Sequence, residues 1–179
     1  MLLLLLGAGI WIGSNYRLGV VANIPCLPAR LYLYRLTSEE PVRGDQVVFQ
    51  TDGRTFPQFQ VGAIFVKQVE GLPGDEVEIT AAGQVRITGS HGSVFESALE
   101  DEVLQILRRQ RSEFAARYRI PPGHYFVVGT LPHTFDSRYW GLVRREQVRG
   151  KVVWVLSGYG PKDWEKDVAR LQEHRGKLQ

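Results

Sequence analysis

Residues 123–129 read GHYFVVG and, after a short loop, residues 136–143 read DSRYWGLV. The first stretch has the aromatic and β-branched residues of a strand, and its flanking glycines are typical of turns. The second places an acid, a base and two aromatic residues side by side. Burying Asp136 and Arg138 is costly unless they pair with each other or with other groups. Together the stretches predict a strand followed by a turn that carries an ion pair.

The composition is that of one globular domain. The chain has 179 residues, of which 44% are hydrophobic and 23% charged. A net charge of +3 is too small to indicate a nucleic-acid partner. The single cysteine, Cys26, excludes an internal disulfide. We expect no metal because the four histidines lack ligand spacing; they are His91, His124, His133 and His174. We also expect no cofactor.

The pattern along the chain predicts a mainly β fold. Strand-like segments with turn residues between them are 31–36, 45–50, 61–69, 76–80, 84–88, 125–128 and 150–156. Apolar residues recur near helical spacing over 96–119, which predicts an amphipathic helix inserted at about 90–120. The predicted domain is thus 21–160, followed by a charged C-terminal helix over 161–179.

The N-terminus is apolar, and three interpretations compete. Residues 1–13 read MLLLLLGAGIWIG without a charge, whereas a spanning helix needs about 20 apolar residues. The segment could be a cleaved signal peptide, a buried core helix, or a short or trimmed membrane anchor over residues 1–20. We favour the anchor, with Trp11 and Tyr16 at the interface, because no basic region or small-x-small cleavage site precedes Arg17.

Four segments, in order, resemble the type I signal peptidases. Besides the D-S-R-Y-W-G-x-V block, residues 41–49 (PVRGDQVVF) resemble the family's R-G-D-x-V-V-F and residues 65–75 (FVKQVEGLPGD) its K-R-V-x-G-L-P-G-D. Residues 23–32 (NIPCLPARLY) resemble N-x-x-x-S-L-P-x-G-L-Y of the conjugal-transfer, TraF-type branch. The resemblance covers about residues 20–156. It implies a signal-peptidase/LexA-like β-rich catalytic domain with an N-terminal membrane helix.

The family is one of serine/lysine proteases, and its site residues fall on five positions of this sequence. The nucleophile position is Cys26, and the general-base position is Lys67. The hydroxyl that orients the lysine falls on Thr134, and the supporting acid and base on Asp136 and Arg138. The resemblance therefore implies a Cys/Lys dyad in place of Ser/Lys.

The chemistry of such a dyad is consistent with the local sequence. A lysine acts as a base only where burial lowers its pKa from about 10.4, and the apolar run around Lys67 predicts burial. A thiol ionises near pH 8.5, so a thiolate–ammonium pair is expected. The alternatives are a strand-edge lysine that prevents aggregation, a buried structural cysteine and a substitution that silences the enzyme. Thr134 could equally be a turn hydroxyl, and Asp136 and Arg138 a surface pair.

Two positions depart from the family pattern. Ile24 stands where a Ser or Thr often donates to the oxyanion, and Arg30 replaces a glycine. The oxyanion hole would then use the Cys26 backbone N–H and a second donor, for which Asn23 is the candidate.

The resemblance also implies where the substrate lies. An extended peptide would lie as a strand between residues 20–24 and 64–66. Ile24, Ile64 and Phe65 would shape a small apolar pocket for alanine-like side chains.

These features predict a membrane-anchored endopeptidase of the inner membrane, with its catalytic domain on the periplasmic side. It would remove the leader of a secreted protein, a conjugative pilin precursor, through an acyl-enzyme. Its partners would be this precursor and the lipid bilayer. Hydrolysis, transpeptidation that cyclises the pilin, and the oligomeric state all stay open.

Two other classes of protein remain as alternatives. A self-cleaving repressor of the LexA type is disfavoured by the apolar N-terminus and by the lack of a DNA-binding domain. A catalytically inactive, membrane-tethered peptide-binding protein of a secretion or conjugation apparatus would keep the groove and use Cys26 only for packing.

Overall fold

The computed structural model describes residues 13–21, 25–55, 57–90, 92, 94–157, 162–163, 165–167 and 169. Eleven strands lie within them: β1 (Tyr16–Val20), β2 (Ala29–Leu36), β3 (Gln46–Gln50), β4 (Ile64–Gly71), β5 (Glu76–Ile79), β6 (Gln84–Thr88), β7 (Val94–Ala98), β8 (Ala116–Arg119), β9 (His124–Val128), β10 (Val143–Arg144) and β11 (Val148–Ser157). Helix α1 covers Asp101–Leu107 and helix α2 covers Ser137–Trp140, and 3₁₀ turns cover Gly53–Thr55, Arg111–Phe114 and Arg145–Gln147. The mainly β class is confirmed.

The larger sheet has seven strands in the order β1-β2-β11-β3-β4-β9-β10, and its neighbouring strands are antiparallel. Its central strands β3, β4 and β9 are the most buried, because both of their edges are paired and their apolar side chains pack in the core. Residues two apart on a strand share a face. Lys67 therefore faces the same side of β4 as Phe65 and Val69, which contribute to the main core.

The smaller sheet has the order β7-β6-β5-β8 and covers that core. Its strand β6 alternates exposed and buried residues, as expected for a sheet with one solvated face. Val77, Ile79, Val85 and Ile87 are its buried members and pack in one cluster with Val69 of the larger sheet. The predicted hairpin of 76–80 and 84–88 is thus present, formed by β5 and β6.

The inserted region differs from the prediction of a helix over about 90–120. Its helix α1 covers only Asp101–Leu107, and strands β7 and β8 flank it. Phe95 pairs with Ile87 of β6, and Tyr118 pairs with Val77 of β5. The long-range strand pairing overrides the local helical spacing of the apolar residues.

Both termini lie partly outside the described residues. Residues 1–12, with Trp11, are outside them, and Tyr16–Val20, the end of the predicted anchor, forms the edge strand β1 instead. Pairing with β2 satisfies its backbone groups on one side. Among the described residues, no helix combines the length and apolar character needed to cross a bilayer. Near the C-terminus residues 162–163, 165–167 and 169 are helical.

Gly150 marks a close approach of β11 to β2. A Cβ added there would lie 2.2 Å from the carbonyl oxygen of Arg35, which is backbone and not free to move aside. We expect Gly150→Ala to lower the free energy of unfolding by about 2 kcal/mol, measured by urea denaturation. The control is Gly53→Ala, because a Cβ at Gly53 meets nothing within 4 Å. Equal losses of stability in the two variants would contradict this account of the contact.

Candidate active site

The segment that begins at Asp136 docks on the part of the β9 edge that β10 leaves unpaired. Strand β10 pairs only with His124 and Tyr125, so the next backbone N–H groups of this edge need other partners. The Val127 N–H donates to Ser137 Oγ (2.9 Å), and the Gly129 N–H donates to Asp136 Oδ2 (3.0 Å). The side chains of the D-S pair thus continue the hydrogen bonding where β10 ends.

Asp136 and Arg138 form a buried, two-point ion pair. Their side chains are 0% and 5% exposed. Arg138 Nε donates to Oδ1 and Nη2 to Oδ2, both at 2.8 Å. The carboxylate also accepts the Arg138 backbone N–H and so caps α2. The side-by-side spacing in the sequence therefore serves both the helix start and the ion pair.

The electrostatics keep both members of this pair charged. Burial alone would raise the pKa of the Asp136 carboxyl, but Arg138, the charge of Lys67 and the Gly129 N–H outweigh it and hold the pKa below its ordinary value. For Arg138, burial favours the neutral form, but Asp136 and Glu100 outweigh it and raise its pKa. The site thus contains a fixed negative charge within electrostatic range of Lys67.

Thr134 lies between the two members of the pair and is 4% exposed. Its hydroxyl donates to Asp136 Oδ2 (2.9 Å) and accepts from Arg138 Nη2 (3.0 Å). A Cβ at Gly129 would lie 2.6 Å from Thr134 Oγ1, so only glycine leaves room for the threonine. The hydroxyl is therefore held firmly in this network and is not a surface turn group.

Lys67 lies in the middle of β4 opposite Val47 and is fully buried. Its Nζ lies 5.6 Å from the ring centroid of Phe65. Within the described part of the chain, Nζ has no hydrogen-bond partner. Burying an amine without a hydrogen bond destabilises a fold, so this group calls for an explanation other than stability.

Cys26 lies in the turn before β2 as a half-buried free thiol. Its carbonyl oxygen accepts the backbone N–H groups of Thr130 (2.9 Å) and Leu131 (3.3 Å). These bonds tie the cysteine turn to the loop that leads from β9 to Thr134. Tyr32 closes the turn by donating to the Ala29 carbonyl (2.5 Å). Burial, followed by the charge of Cys26, raises the pKa of Tyr32.

The predicted substrate-contacting residues are only partly described. Asn23 and Ile24 lie outside the described residues. Ile64 begins β4 and is 54% exposed. Phe65 is half-buried, and its ring meets Phe59 edge-on with a centroid distance of 4.8 Å. The start of β4 thus presents an apolar surface to solvent.

The structure brings Thr134, Asp136 and Arg138 into direct contact, whereas Lys67 Nζ makes no hydrogen bond to Cys26 or to any other described residue. The backbone carbonyl of Cys26 is hydrogen-bonded to the loop before Thr134, and Lys67 lies within electrostatic range of Asp136. Sequence reasoning missed Glu100, which pairs with Arg138 at 3.1 Å. No sequence signal could have found it, because the two residues belong to different elements far apart in the chain.

Comparison with known proteins identifies the family. The family described as signal peptidase, peptidase S26, matches residues 11–157. The chain is 30% identical over 149 residues to a signal peptidase I of Pseudomonas fluorescens (65% of this chain, 50% of that protein). It is 32% identical over 120 residues to a probable signal peptidase I-2 of Synechocystis sp. (66% of this chain, 48% of that protein).

A solved signal peptidase I from Enterococcus faecalis V583 is 26% identical, with a TM-score of 0.37, and the match covers 63% of this chain and 97% of that chain. The chain spans about half the length of the curated relatives it matches. The family match extends over most of the chain and includes Cys26, Lys67 and the D-S-R segment. The chain therefore belongs to the signal peptidase family, peptidase S26.

Proposed function

We propose that this chain is a signal-peptidase-like endopeptidase in which Cys26 is the nucleophile and Lys67 the general base. The observation that carries the proposal is the Lys67 amine. It is fully buried, and within the described part of the chain it has no hydrogen-bond partner. A buried polar group kept at a cost to stability is typical of a catalytic role. Family membership indicates the same class of enzyme, a peptidase.

The proposed reaction proceeds through a thioester. Lys67 Nζ takes the proton of Cys26 Sγ, and the thiolate attacks the carbonyl carbon of the scissile peptide bond. The tetrahedral intermediate collapses as Lys67 returns the proton to the leaving amine nitrogen. The N-terminal fragment of the substrate stays on Cys26 as a thioester. Attack by water releases it as an acid, whereas attack by an amine forms a new peptide bond.

The remaining residues position this pair. The carboxylate of Asp136, which is fixed by Arg138, lies within electrostatic range of the amine of Lys67. Thr134 donates its hydroxyl proton to that carboxylate. The Cys26 backbone N–H and Asn23 are the proposed donors to the oxyanion, and loss of one such donor typically costs about 3 kcal/mol of transition-state stabilisation.

The proposed substrate is the precursor of a secreted protein, and specifically a conjugative pilin precursor. Its extended chain would bind between residues 20–24 and the start of β4. Support comes from Ile64, whose exposed side chain lies at the start of β4. With Phe65 and Ile24 it would form a small apolar pocket for alanine-like side chains.

The proposed location is the periplasmic side of the inner membrane. The apolar composition of residues 1–13 supports an N-terminal membrane anchor. The proposed anchor would precede Tyr16, where β1 begins.

Intact-mass spectrometry of a co-expressed pilin precursor tests the proposal. We expect the precursor to lose its leader with the wild-type protein but not with Cys26→Ala or Lys67→Ala. The matched control is Lys151→Ala. Lys151 lies on β11 and pairs with Asp45, so this variant should still cleave. Cleavage by the Cys26→Ala variant would contradict the proposed nucleophile.

The same spectra distinguish hydrolysis from transpeptidation. When Cys26 cleaves a peptide bond at the C-terminal side of the pilin body, the C-terminal segment leaves as the amine and the body stays on Cys26 as the acyl group. Attack by the body's own N-terminal amine then displaces the Cys26 thiol and closes a ring. The cyclic product is lighter by one water than the hydrolysed body. A product with the hydrolysed mass would show that water is the acceptor.

A further inference from the structure

Glu100, at the junction of β7 and α1, contacts both ends of the segment that carries Thr134 and Asp136. One carboxylate oxygen lies 3.1 Å from Arg138 Nη1, and the other accepts the backbone N–H of His133. The Glu100 backbone N–H donates to the Tyr139 hydroxyl at 2.8 Å. A single residue of the inserted region thus holds this segment at its beginning and at its end.

The guanidinium of Arg138 transmits this restraint to the site. Its Nη1 faces the inserted region, donating to Ser97 Oγ (3.2 Å) and the Ala98 carbonyl (2.9 Å) as well as pairing with Glu100. Its Nε and Nη2 face Asp136. Because the guanidinium is planar and rigid, fixing Nη1 also fixes the two nitrogens that bind the Asp136 carboxylate.

Charge balance gives Glu100 a second effect on the site. Lys67 and Arg138 are the basic residues of this cluster, and its carboxylates are Asp136, which is fully buried, and Glu100, which is partly exposed. Removing the charge of Glu100 would leave the cluster more positive. A more positive surrounding stabilises a thiolate and opposes an ammonium group.

Other charged and titratable groups also face Glu100. His133 Nδ1 lies 3.5 Å from Glu100 Oε2 and 3.4 Å from Glu102 Oε2. The Tyr139 hydroxyl contacts the Glu100 backbone, and Arg111 Nη2 donates to the neighbouring Leu99 carbonyl at 3.5 Å. Glu102 therefore shares the histidine with Glu100, which makes it a matched control.

We propose that Glu100 is a positioning residue for the catalytic pair. Glu100 holds Arg138 in place, and Arg138 in turn holds Asp136 and Thr134 beside Lys67. The inference rests on the proposed Cys26/Lys67 dyad. It assigns a role in the reaction to the inserted region, which supplies Glu100.

Alkylation of Cys26 by iodoacetamide tests the proposal without a peptide substrate. Cys26 is the single cysteine of the chain, so intact mass reports on that thiol alone. We expect the midpoint of the alkylation rate against pH to move to lower pH by roughly half to one pH unit in Glu100→Gln. Glu102→Gln should keep the wild-type midpoint. A purely structural role would instead raise the rate at every pH without moving the midpoint.

A further variant keeps the test decisive if Glu100→Gln folds poorly. Glu100→Asp retains the charge, so its midpoint should stay close to the wild-type value, with circular dichroism reporting the folded fraction. An unchanged midpoint in a folded Glu100→Gln variant would overturn the proposal. So would equal shifts in Glu100→Asp and Glu100→Gln.

Cleavage of the pilin precursor separates this inference from the proposed function. We expect Glu100→Gln to lower kcat roughly tenfold with little change in KM, and Glu102→Gln to leave both unchanged. If the wild-type protein does not cleave the precursor but Glu100→Gln still shifts the alkylation midpoint, the proposed function is contradicted and the positioning role stays in place. Normal kcat in Glu100→Gln beside an active wild type would contradict the positioning role alone.

Discussion

Replacing Lys67 by methionine is expected to lower the rate of precursor cleavage by about a thousandfold or more. The same change should raise the free energy of unfolding by about 1 to 3 kcal/mol, because it removes a buried amine that lacks a hydrogen-bond partner within the described residues. Methionine has a similar length and volume, so the surrounding core need not rearrange. Cleavage kinetics and urea denaturation measure the two effects.

Lys151→Met is the matched control for this prediction. Lys151 pairs with Asp45 at 2.8 Å and donates to the Glu40 carbonyl at 2.9 Å. Its loss should therefore reduce stability slightly and leave cleavage unchanged. A Lys67→Met variant that is both inactive and less stable than the wild type would indicate a structural role for Lys67.

Replacing Asp136 by alanine is expected to cost about 3 kcal/mol of stability, since it removes the carboxylate that pairs with the buried Arg138. The Gly129 N–H and the Thr134 hydroxyl would also lose their acceptor. The control is Glu96→Ala, whose partner Arg86 is as exposed as Glu96 itself. An exposed pair of this kind contributes about 1 kcal/mol at most. Urea denaturation that gives similar losses for both variants would contradict the buried ion pair.

The same carboxylate predicts how stability depends on pH. The pKa of Asp136 is held below its ordinary value of 3.8 in the folded chain, so the folded state binds fewer protons than the unfolded state. Its contribution to stability is therefore present above that value and is lost as the pH falls through the folded pKa. Asp136→Asn should remove this part of the acid dependence in urea titrations at pH 2 to 7. If the free energy of unfolding depends on pH in the same way in the wild type and in Asp136→Asn, Asp136 is excluded as the source of the acid dependence.

Local patterns in the sequence identified the strands whose turns and alternation agree with the final pairing. The hairpin of β5 and β6 is an example, because Ala82-Gly83 supplies a turn between two alternating runs. Strands β7 and β8 were not predicted. Their pairing with β6 and β5 depends on contacts remote in sequence, whereas their local apolar spacing favours a helix.

The candidate site likewise contains features that the sequence predicted and one that it did not. The ion pair of Asp136 and Arg138 was predicted because both residues stand in one short block, and burial of Lys67 was predicted from its apolar run. Glu100 was not, since the acidic start of α1 reads only as a favourable helix N-terminus. Its approach to Arg138 exists only after the smaller sheet has packed against the larger one.

The central claim is that peptide cleavage passes through a thioester on Cys26, and acid-quenched mass spectrometry tests it most directly. Wild-type protein mixed briefly with the pilin precursor should yield a tryptic peptide, residues 18–30, that carries the N-terminal fragment of the substrate. Hydroxylamine should remove this adduct, and Cys26→Ala should not form it. Continued cleavage after complete alkylation of Cys26, or in Cys26→Ala, would contradict the account.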